Sequence, residues 1–216
     1  MTMHPLLSRR AWVFDLDNTL YSPTVRLFDQ IDLRITAWVQ QVTGADAQEA
    51  DRLRRHYWNH YGTTLAGLMA EHHIDADAYL EDVHDISFDA LTPDRALEAA
   101  IAALPGRKIV YTNGSAPYAR RVLAARGLSD AFDAVYGVED AGLIPKPQRS
   151  AFETIFSKDQ LDPREAVMFE DDPRNLAAPK AMGMATIHVA DAATHEAHID
   201  HHTDDLSAFL HQLLPR

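Results

Sequence analysis

The sequence predicts an α/β protein in which a parallel sheet carries helices on both faces and an all-helical segment follows the first strand. Two observations support this prediction. Short apolar runs alternate with helical patterns along most of the 216 residues, an order typical of parallel sheets whose strands are connected by helices. The region from about residue 24 to residue 91 contains helical patterns alone, so it is predicted to be an insertion.

Five apolar runs are the predicted strands. Each is short and bounded by loop-forming residues, a pattern typical of a buried strand. They are residues 11–14 (AWVF), 108–111 (KIVY), 134–138 (AVYGV), 166–169 (AVMF) and, with a weaker pattern, 185–189 (ATIHV).

Three helices are predicted beside these strands. Residues 92–104 begin with a threonine N-cap and a proline at the first helical position, which is a helix-start signal. Residues 117–127 begin with proline and end on glycine. Residues 174–183 also end on glycine, and Pro179 is expected to shorten or kink that helix.

The insertion opens with a long amphipathic helix. Its apolar residues recur at spacings of four, four, three and four, which places them on one helical face: Leu27, Ile31, Ile35, Trp38 and Val42. Shorter helical patterns follow near residues 46–61, 64–72 and 75–84. We therefore predict a core domain formed by residues 1–20 and 91–216 and a helical domain formed by residues 21–90.

Polar residues follow the stronger strands. The carboxyl ends of parallel strands lie at one edge of the sheet, where ligands bind, so these distant residues are expected to meet. They are Asp15 and Asp17 after the first strand, Thr112, Asn113 and Gly114 after the second, Lys146 in the loop after the third, and Glu170 and Asp171 after the fourth.

The chemistry of this group points to a magnesium-dependent site that binds phosphate. Carboxylate oxygens without histidine or cysteine suit Mg²⁺. Without a cation, two carboxylates roughly 4 Å apart would repel by about 4 kcal/mol at an effective dielectric constant near 20. Lys146 can neutralise a carboxylate and a phosphate oxygen, and Thr112 with the N–H groups after it can cradle phosphate oxygens.

Four short motifs, DLDNT, TNG, IPKP and EDD, occur in this order and resemble the four motifs of the haloacid dehalogenase superfamily. The helical segment resembles the small cap of that superfamily. The resemblance covers nearly the whole chain and implies a Rossmann-like three-layer core with a parallel sheet and an inserted all-helical cap. The string VFDLDNTLY is similar to the branch that contains pyrimidine 5′-nucleotidases, which implies nucleoside 5′-monophosphates as substrates.

The resemblance implies a catalytic role for three residues. Asp15 becomes the nucleophile that forms an aspartyl-phosphate. Asp17 becomes the general acid that protonates the leaving alcohol and then the base that activates water. Lys146 balances the charge of Asp15 and of the phosphate. An acid at position 17 favours phosphate esters over carbon–halogen bonds, because a departing halide needs no proton.

The resemblance also implies the binding groups. Mg²⁺ is held by the Asp15 carboxylate, the Asp17 backbone carbonyl and Asp171, and Glu170 ligates it directly or through water.

The phosphoryl oxygens are bound by Thr112 and by the N–H of Asn113. Tyr21 either stacks on a nucleotide base or packs the helical segment, and the sequence leaves both open.

Other functions remain open at this stage. The substrate could be another small phosphorylated metabolite, such as a sugar phosphate or phosphoglycolate. A non-enzymatic phosphoacceptor module also combines acids, threonine and lysine on a parallel sheet, but its phosphoacceptor lies on a later strand. A catalytically silent scaffold is disfavoured because every catalytic position is filled.

Composition limits the partners and the location. The chain has 32 acidic and 20 basic residues, a formal net charge of −12, which disfavours nucleic-acid polymers and anionic membranes. The absence of cysteine and of a secretory signal pattern leads us to expect a cytoplasmic protein. Residues 195–202 (HEAHIDHH) have metal-ligand spacing but are predicted to be a surface connection.

Overall fold

A computed structural model describes residues 4–214, which contain one six-stranded sheet. The strands are β1 (Ala11–Phe14), β2 (Arg107–Tyr111), β3 (Ala134–Tyr136), β4 (Ala166–Glu170), β5 (Ala185–Val189) and β6 (His201–Thr203). Every neighbouring pair is parallel, and the order β3–β2–β1–β4–β5–β6 places β1 at the centre. The predicted α/β class with a parallel, Rossmann-like sheet is confirmed.

The helices are α1 (Leu27–Thr43), α2 (Ala47–Tyr61), α3 (Thr64–His72), α4 (Ala76–Val83), α5 (Arg95–Ala102), α6 (Ala116–Arg126), α7 (Arg149–Asp159), α8 (Ala177–Ala181) and α9 (Leu206–Leu213). The first four follow β1 with no strand between them, as the sequence predicts. The division into domains 1–20 with 91–216 and 21–90 stays a prediction, and residues 1–3 and 215–216 lie outside the described part. Within residues 4–214, no helix is long and apolar enough to cross a bilayer.

The two central strands bury both of their faces, which explains why they are continuous apolar runs. Trp12 and Phe14 of β1 contribute to the hydrophobic cluster on one side of the sheet, whereas Val13 contributes to the cluster on the other side. Phe14 stacks on Phe169 of β4 with ring centroids 4.6 Å apart and an interplanar angle of 4°. This packing fixes the ends of β1 and β4, where the acidic residues begin.

The helices α1–α4 contribute most of a third hydrophobic cluster, around Val39, Tyr57 and Leu68, which also includes Val138 from the loop after β3. At the start of α1, Leu27 and Ile31 belong to the cluster on the sheet face. The insertion therefore has a core that is mostly its own, and it packs against the rest of the chain through the first turns of α1 and through Val138.

The structure differs from the predicted elements in the last third of the chain. Helices α7 and α9 were not predicted, although the buried side chains of α7 recur at helical spacing, from Ala151 and Phe152 to Ile155 and Phe156. The predicted helix 174–183 is a 3-10 turn followed by the five residues of α8. Part of the predicted surface connection 195–202 is strand β6, which pairs with β5.

We expect Phe169→Ala to lower the free energy of unfolding by about 3–5 kcal/mol, because it removes a fully buried ring between two central strands and leaves a cavity. Urea denaturation followed by circular dichroism measures this loss. The matched control is Leu33→Ala, whose side chain is 74% exposed and whose effect should stay within about 0.5 kcal/mol. Equal losses in the two variants would contradict the assignment of the core.

Candidate active site

Asp15 is the first residue beyond β1 and lies at the centre of the sheet edge. Its backbone N–H donates to the carbonyl oxygen of Phe169 at 2.9 Å, so the β1–β4 pairing continues one residue past the strand. The Asp15 side chain is buried, and this pairing brings it beside Glu170 at the end of β4.

The ammonium of Lys146 joins the ends of three strands. Its Nζ lies 2.6 Å from Asp15 Oδ1 and 2.6 Å from Glu170 Oε2, and it donates to the Tyr111 carbonyl oxygen at 3.2 Å. All three ammonium N–H donors therefore have an acceptor. The residue is only 1% exposed, so Lys146 is a buried cation held inside the site.

The side chain of Asn113 holds the backbone of Lys146. Asn113 Oδ1 accepts a hydrogen bond from the Lys146 N–H at 2.8 Å, and Asn113 Nδ2 donates to the Lys146 carbonyl oxygen at 3.1 Å. The sequence predicts that the Asn113 N–H binds phosphate. The structure adds a positioning role for the side chain.

The single ammonium of Lys146 does not neutralise all of the buried acids around it. Burial raises the pKa of Glu170 well above its ordinary value, and the Asp15 carboxylate raises it further, while Lys146 opposes the shift. Burial and the Asp15 carboxylate raise the pKa of Asp171 to about 7. Burial lowers the pKa of Lys146, but Asp15 and Glu170 outweigh burial and keep the ammonium charged.

The same acids fit a hard divalent cation. Asp15, Glu170 and Asp171 each offer one carboxylate oxygen, and these oxygens all lie within 4.8 Å of one another. Both oxygens of Glu170 already accept hydrogen bonds, from Lys146 Nζ and from the Asp172 N–H at 3.3 Å. From the described residues, the Asp171 carboxylate accepts one long bond of 3.4 Å, from Asn18, so it is freer than Glu170 to bind a cation.

Two tyrosine hydroxyls hold the side chain of Asp17. The hydroxyls of Tyr21 and Tyr118 each donate to Asp17 Oδ1 at 2.6 Å. Oδ2 is left without a hydrogen bond from the residues that the structure describes. Burial and then the Asp15 carboxylate raise the pKa of Asp17 to about 6, and the two hydroxyls oppose the shift.

Tyr21 lies in the hydrophobic cluster of the sheet and is only 3% exposed. It does not line the cleft above Asp15, so its ring has no position from which to stack on a bound base there. Its hydroxyl instead supports Asp17.

Two small or polar residues shape the turns after β1 and β2. Asn18 has a φ of 60°, a left-handed conformation that asparagine tolerates better than most residues. A Cβ at Gly114 would lie 2.9 Å from the ring of Tyr118, so glycine allows that ring to approach. The Gly114 N–H donates to Thr112 Oγ1 at 2.9 Å and is therefore not free for phosphate, whereas the Thr112 hydroxyl hydrogen has no acceptor among the described residues.

A cleft of about 450 Å³ extends from Asp15 to the helices α1–α4. At its mouth the guanidinium of Arg174 stacks on the Trp58 ring, 3.5 Å from the centroid. Its apolar wall comes from helices α1, α3 and α4, namely Ile31, Ile35, Leu65, Leu80 and Val83. The cleft is thus acidic where it meets the sheet, and both apolar and charged side chains line it where it meets the helices.

Two site residues were not predicted from the sequence. Tyr118 lies in the first turn of α6, three residues after the N-cap Ser115, and its position soon after the TNG motif is a usable signal. His84 stacks on Tyr118 with ring centroids 4.2 Å apart, and its Nδ1 donates to the Leu80 carbonyl oxygen at 2.8 Å. No pattern around His84 marks it as a site residue.

Histidines from the far edge of the sheet hold the loop that carries Asp171. His188 Nε2 donates to the Asp171 carbonyl oxygen at 2.9 Å, and His198 Nε2 donates to the Pro173 carbonyl oxygen at 2.8 Å. Within residues 4–214, the single group of three or more potential ligands is the one around Asp15, so the histidine-rich segment 195–202 contributes contacts to the loop.

The chain resembles known proteins over most of its length. Residues 10–183 match a family model described as haloacid dehalogenase-like hydrolase. Phosphate metabolism protein 8 of Saccharomyces cerevisiae is 26% identical over 208 residues, which are 88% of this chain and 64% of the yeast protein. The chain therefore spans less than two thirds of that relative.

Two further proteins match over most of their length. Validoxylamine A 7′-phosphate phosphatase of Streptomyces hygroscopicus subsp. limoneus is 29% identical over 196 residues, which are 83% of this chain and 87% of that protein. The crystal structure of a HAD phosphatase from Thermococcus onnurineus superposes with a TM-score of 0.63 at 18% identity, covering 94% of this chain and 97% of that one. The structural likeness shows the shared fold.

The buried His84 makes stability depend on pH. Burial lowers its pKa from 6.5 to about 4, so between these values the unfolded chain binds a proton that the folded chain does not. The contribution of His84 to stability therefore falls as the pH drops, by about 2 kcal/mol from pH 7 to pH 5, whereas the raised pKa values of Asp17 and Asp171 act in the opposite direction.

Urea denaturation of wild type and His84→Gln at the two pH values measures this contribution, because the variant should lack it. The matched control is His195→Gln, an exposed histidine whose replacement should keep the wild-type dependence. A His84→Gln variant with an unchanged dependence would show that His84 is not the group responsible.

Proposed function

Since the chain belongs to the haloacid dehalogenase-like hydrolase family, we propose that it is a Mg²⁺-dependent phosphomonoesterase acting through an aspartyl-phosphate, with nucleoside 5′-monophosphates, pyrimidine nucleotides among them, as substrates. The observation that carries the proposal is the buried Asp15 carboxylate, held by Lys146 within the same cleft as Asp17. The phosphatase named in Streptomyces supports the reaction type.

In the first step an oxygen of Asp15 attacks phosphorus, and the bond between phosphorus and the leaving oxygen breaks. The proton on Asp17 moves to that oxygen, which departs as an alcohol. Oδ2 of Asp17 is the oxygen that delivers it, because Oδ1 is occupied by the two tyrosine hydroxyls.

In the second step the Asp17 carboxylate accepts a proton from water, and the water oxygen displaces Asp15 from phosphorus. Phosphate leaves and both carboxyl groups return to their first states. Lys146 keeps Asp15 oriented throughout, and the Thr112 hydroxyl and the Asn113 N–H bind the phosphoryl oxygens.

Mg²⁺ would be held by the carboxylates of Asp15 and Asp171 and by the Asp17 backbone carbonyl. Glu170 would contribute directly or through water, and its bond to Lys146 favours water. When bound, the ion supplies the positive charge that these acids lack and that the phosphoryl oxygens need.

The cleft supports a nucleotide-sized substrate. Its volume of about 450 Å³ lies within the range of roughly 300–1,000 Å³ typical of small-molecule sites. The aliphatic wall from helices α1, α3 and α4 offers a surface for a planar base. On this proposal residues 21–90 are a cap that forms the leaving-group side of the site.

Hydrolysis of p-nitrophenyl phosphate with Mg²⁺ and with excess chelator tests the reaction. We expect activity with Mg²⁺, its loss on chelation, and at least about a thousandfold loss of kcat in Asp15→Asn, which lacks the nucleophile. The control is Asp130→Asn, which makes the same aspartate-to-asparagine substitution at an exposed residue outside the cleft. Full activity of Asp15→Asn, or no dependence on metal, would rule out this mechanism.

The hydrogen bond from Tyr118 to Asp17 should matter most when the leaving group is a strong base. In Tyr118→Phe we expect kcat/KM for UMP, relative to p-nitrophenyl phosphate, to fall at least about tenfold, because p-nitrophenolate departs without a proton. Steady-state kinetics with both substrates give this ratio. Tyr136→Phe is the control, since it removes another tyrosine–aspartate bond, to Asp159. Parallel losses on both substrates would exclude a role in proton delivery.

A further inference from the structure

The charged groups that line the cleft are unequal in number. Four cationic side chains face six carboxylates, and each cation already has a carboxylate partner. Nζ of Lys146 lies 2.6 Å from Asp15, and the arginine pairs are Arg54–Asp32 at 2.8 Å, Arg55–Asp51 at 2.5 Å and Arg174–Asp172 at 2.6 Å. A carboxylate on a leaving group would therefore meet no unpaired cation on these walls.

One of these pairs lies inside the cleft between two helices. Arg54 of α2 donates from Nη1 to Oδ1 of Asp32 in α1, and from Nη2 to Asp51 at 3.0 Å. The Arg54 side chain is only 18% exposed. Its Nε–H is buried and has no hydrogen-bond acceptor within residues 4–214.

Asp32 offers a hydrogen-bond acceptor beside the Nε–H donor of Arg54. Burial raises the pKa of Asp32 and Arg54 opposes the shift. Its Oδ1 is engaged by Arg54, whereas Oδ2 accepts no hydrogen bond from the described residues. The pair therefore presents a buried donor and a free acceptor on neighbouring side chains.

Apolar side chains line the same cleft as the pair, although Asp51 and Arg55 also lie near it. Ile31 and Ile35 flank Asp32 along α1, and Leu80 and Val83 come from α4. A ligand that reaches the pair must offer apolar surface to these side chains and polar atoms to Arg54 and Asp32.

We propose that the Arg54–Asp32 pair recognises the leaving group, and that this group is an uncharged ring system with a hydrogen-bond acceptor beside a donor. The proposal rests on the proposed function and narrows its substrate class. Arg54 Nε donates to the acceptor on the ring and Asp32 Oδ2 accepts from the donor. A nucleobase edge has this arrangement, and a short carboxylic acid such as the glycolate of phosphoglycolate does not.

The first measurement compares wild-type kcat/KM for UMP and phosphoglycolate. We expect UMP to be preferred by at least about a hundredfold, since it satisfies both partners and adds no unpaired charge. A preference for phosphoglycolate would overturn the inference while leaving the phosphatase mechanism in place.

The second measurement removes the donor. In Arg54→Gln we expect KM for UMP to rise about tenfold and kcat/KM for UMP relative to p-nitrophenyl phosphate to fall by a similar factor. Arg52→Gln is the matched control, because Arg52 is on the same helix and pairs with Glu49 on the surface. If both substrates weaken equally in Arg54→Gln, the residue is structural and the inference is wrong.

The third measurement changes the charge. Asp32→Asn removes a carboxylate beside Arg54, so we expect kcat/KM for phosphoglycolate to rise relative to UMP by about fivefold or more. Asp29→Asn is the control, as Asp29 pairs with Arg26 on the surface of the same helix. An unchanged ratio in Asp32→Asn would contradict the role of the pair.

Calorimetric binding of UMP separates this inference from the proposed function. In the Asp15→Asn background, which cannot form the aspartyl-phosphate, Arg54→Gln should weaken binding about tenfold and Arg52→Gln should not. If wild type hydrolyses no phosphate ester but binding responds to Arg54, the reaction is wrong and the subsite is right. If UMP does not bind, or binds equally to both variants, the subsite is wrong.

Discussion

The site depends on the contacts that the ammonium of Lys146 makes with the ends of three strands. A buried cation is tolerated only when its hydrogen bonds and its charge are satisfied, and Lys146 meets that condition by touching the ends of β1, β2 and β4 at once. Removing any of these acceptors would leave charge uncompensated in the interior. The positions of Asp15 and Glu170 are therefore set by the fold of the whole sheet.

Two parts of the chain line the cleft, and they carry different kinds of residue. The strand ends and the loop after β3 carry the buried carboxylates and Lys146. The helices α1–α4 carry the apolar wall and the Arg54–Asp32 pair. On the proposed function, the first group performs the reaction and the second meets the leaving group, so substitutions on the helices can change the substrate while the strand ends stay the same.

The central elements of the fold could be predicted because they follow local rules. Apolar runs mark β1, β2, β4 and β5, and the convergence of parallel strand ends brings Asp15 and Lys146 together across 131 residues. The TNG motif indicates that Tyr118 lies near the site, but its hydrogen bond to Asp17 depends on how α6 packs against the sheet, which local sequence does not determine. Helix α7 is a different case, because its buried residues recur at helical spacing in the sequence and the helix is in principle predictable.

His188 and His198 donate to the carbonyl oxygens of Asp171 and Pro173 and so connect the loop that carries Asp171 to the far border of the sheet. That border contributes no side chain to the cleft among the described residues, yet it helps to fix the position of the Asp171 carboxylate. Damage to activity from substitutions in the last thirty residues should thus not be taken as a sign of a second functional centre. The simpler explanation is a displaced backbone at residues 171 to 173.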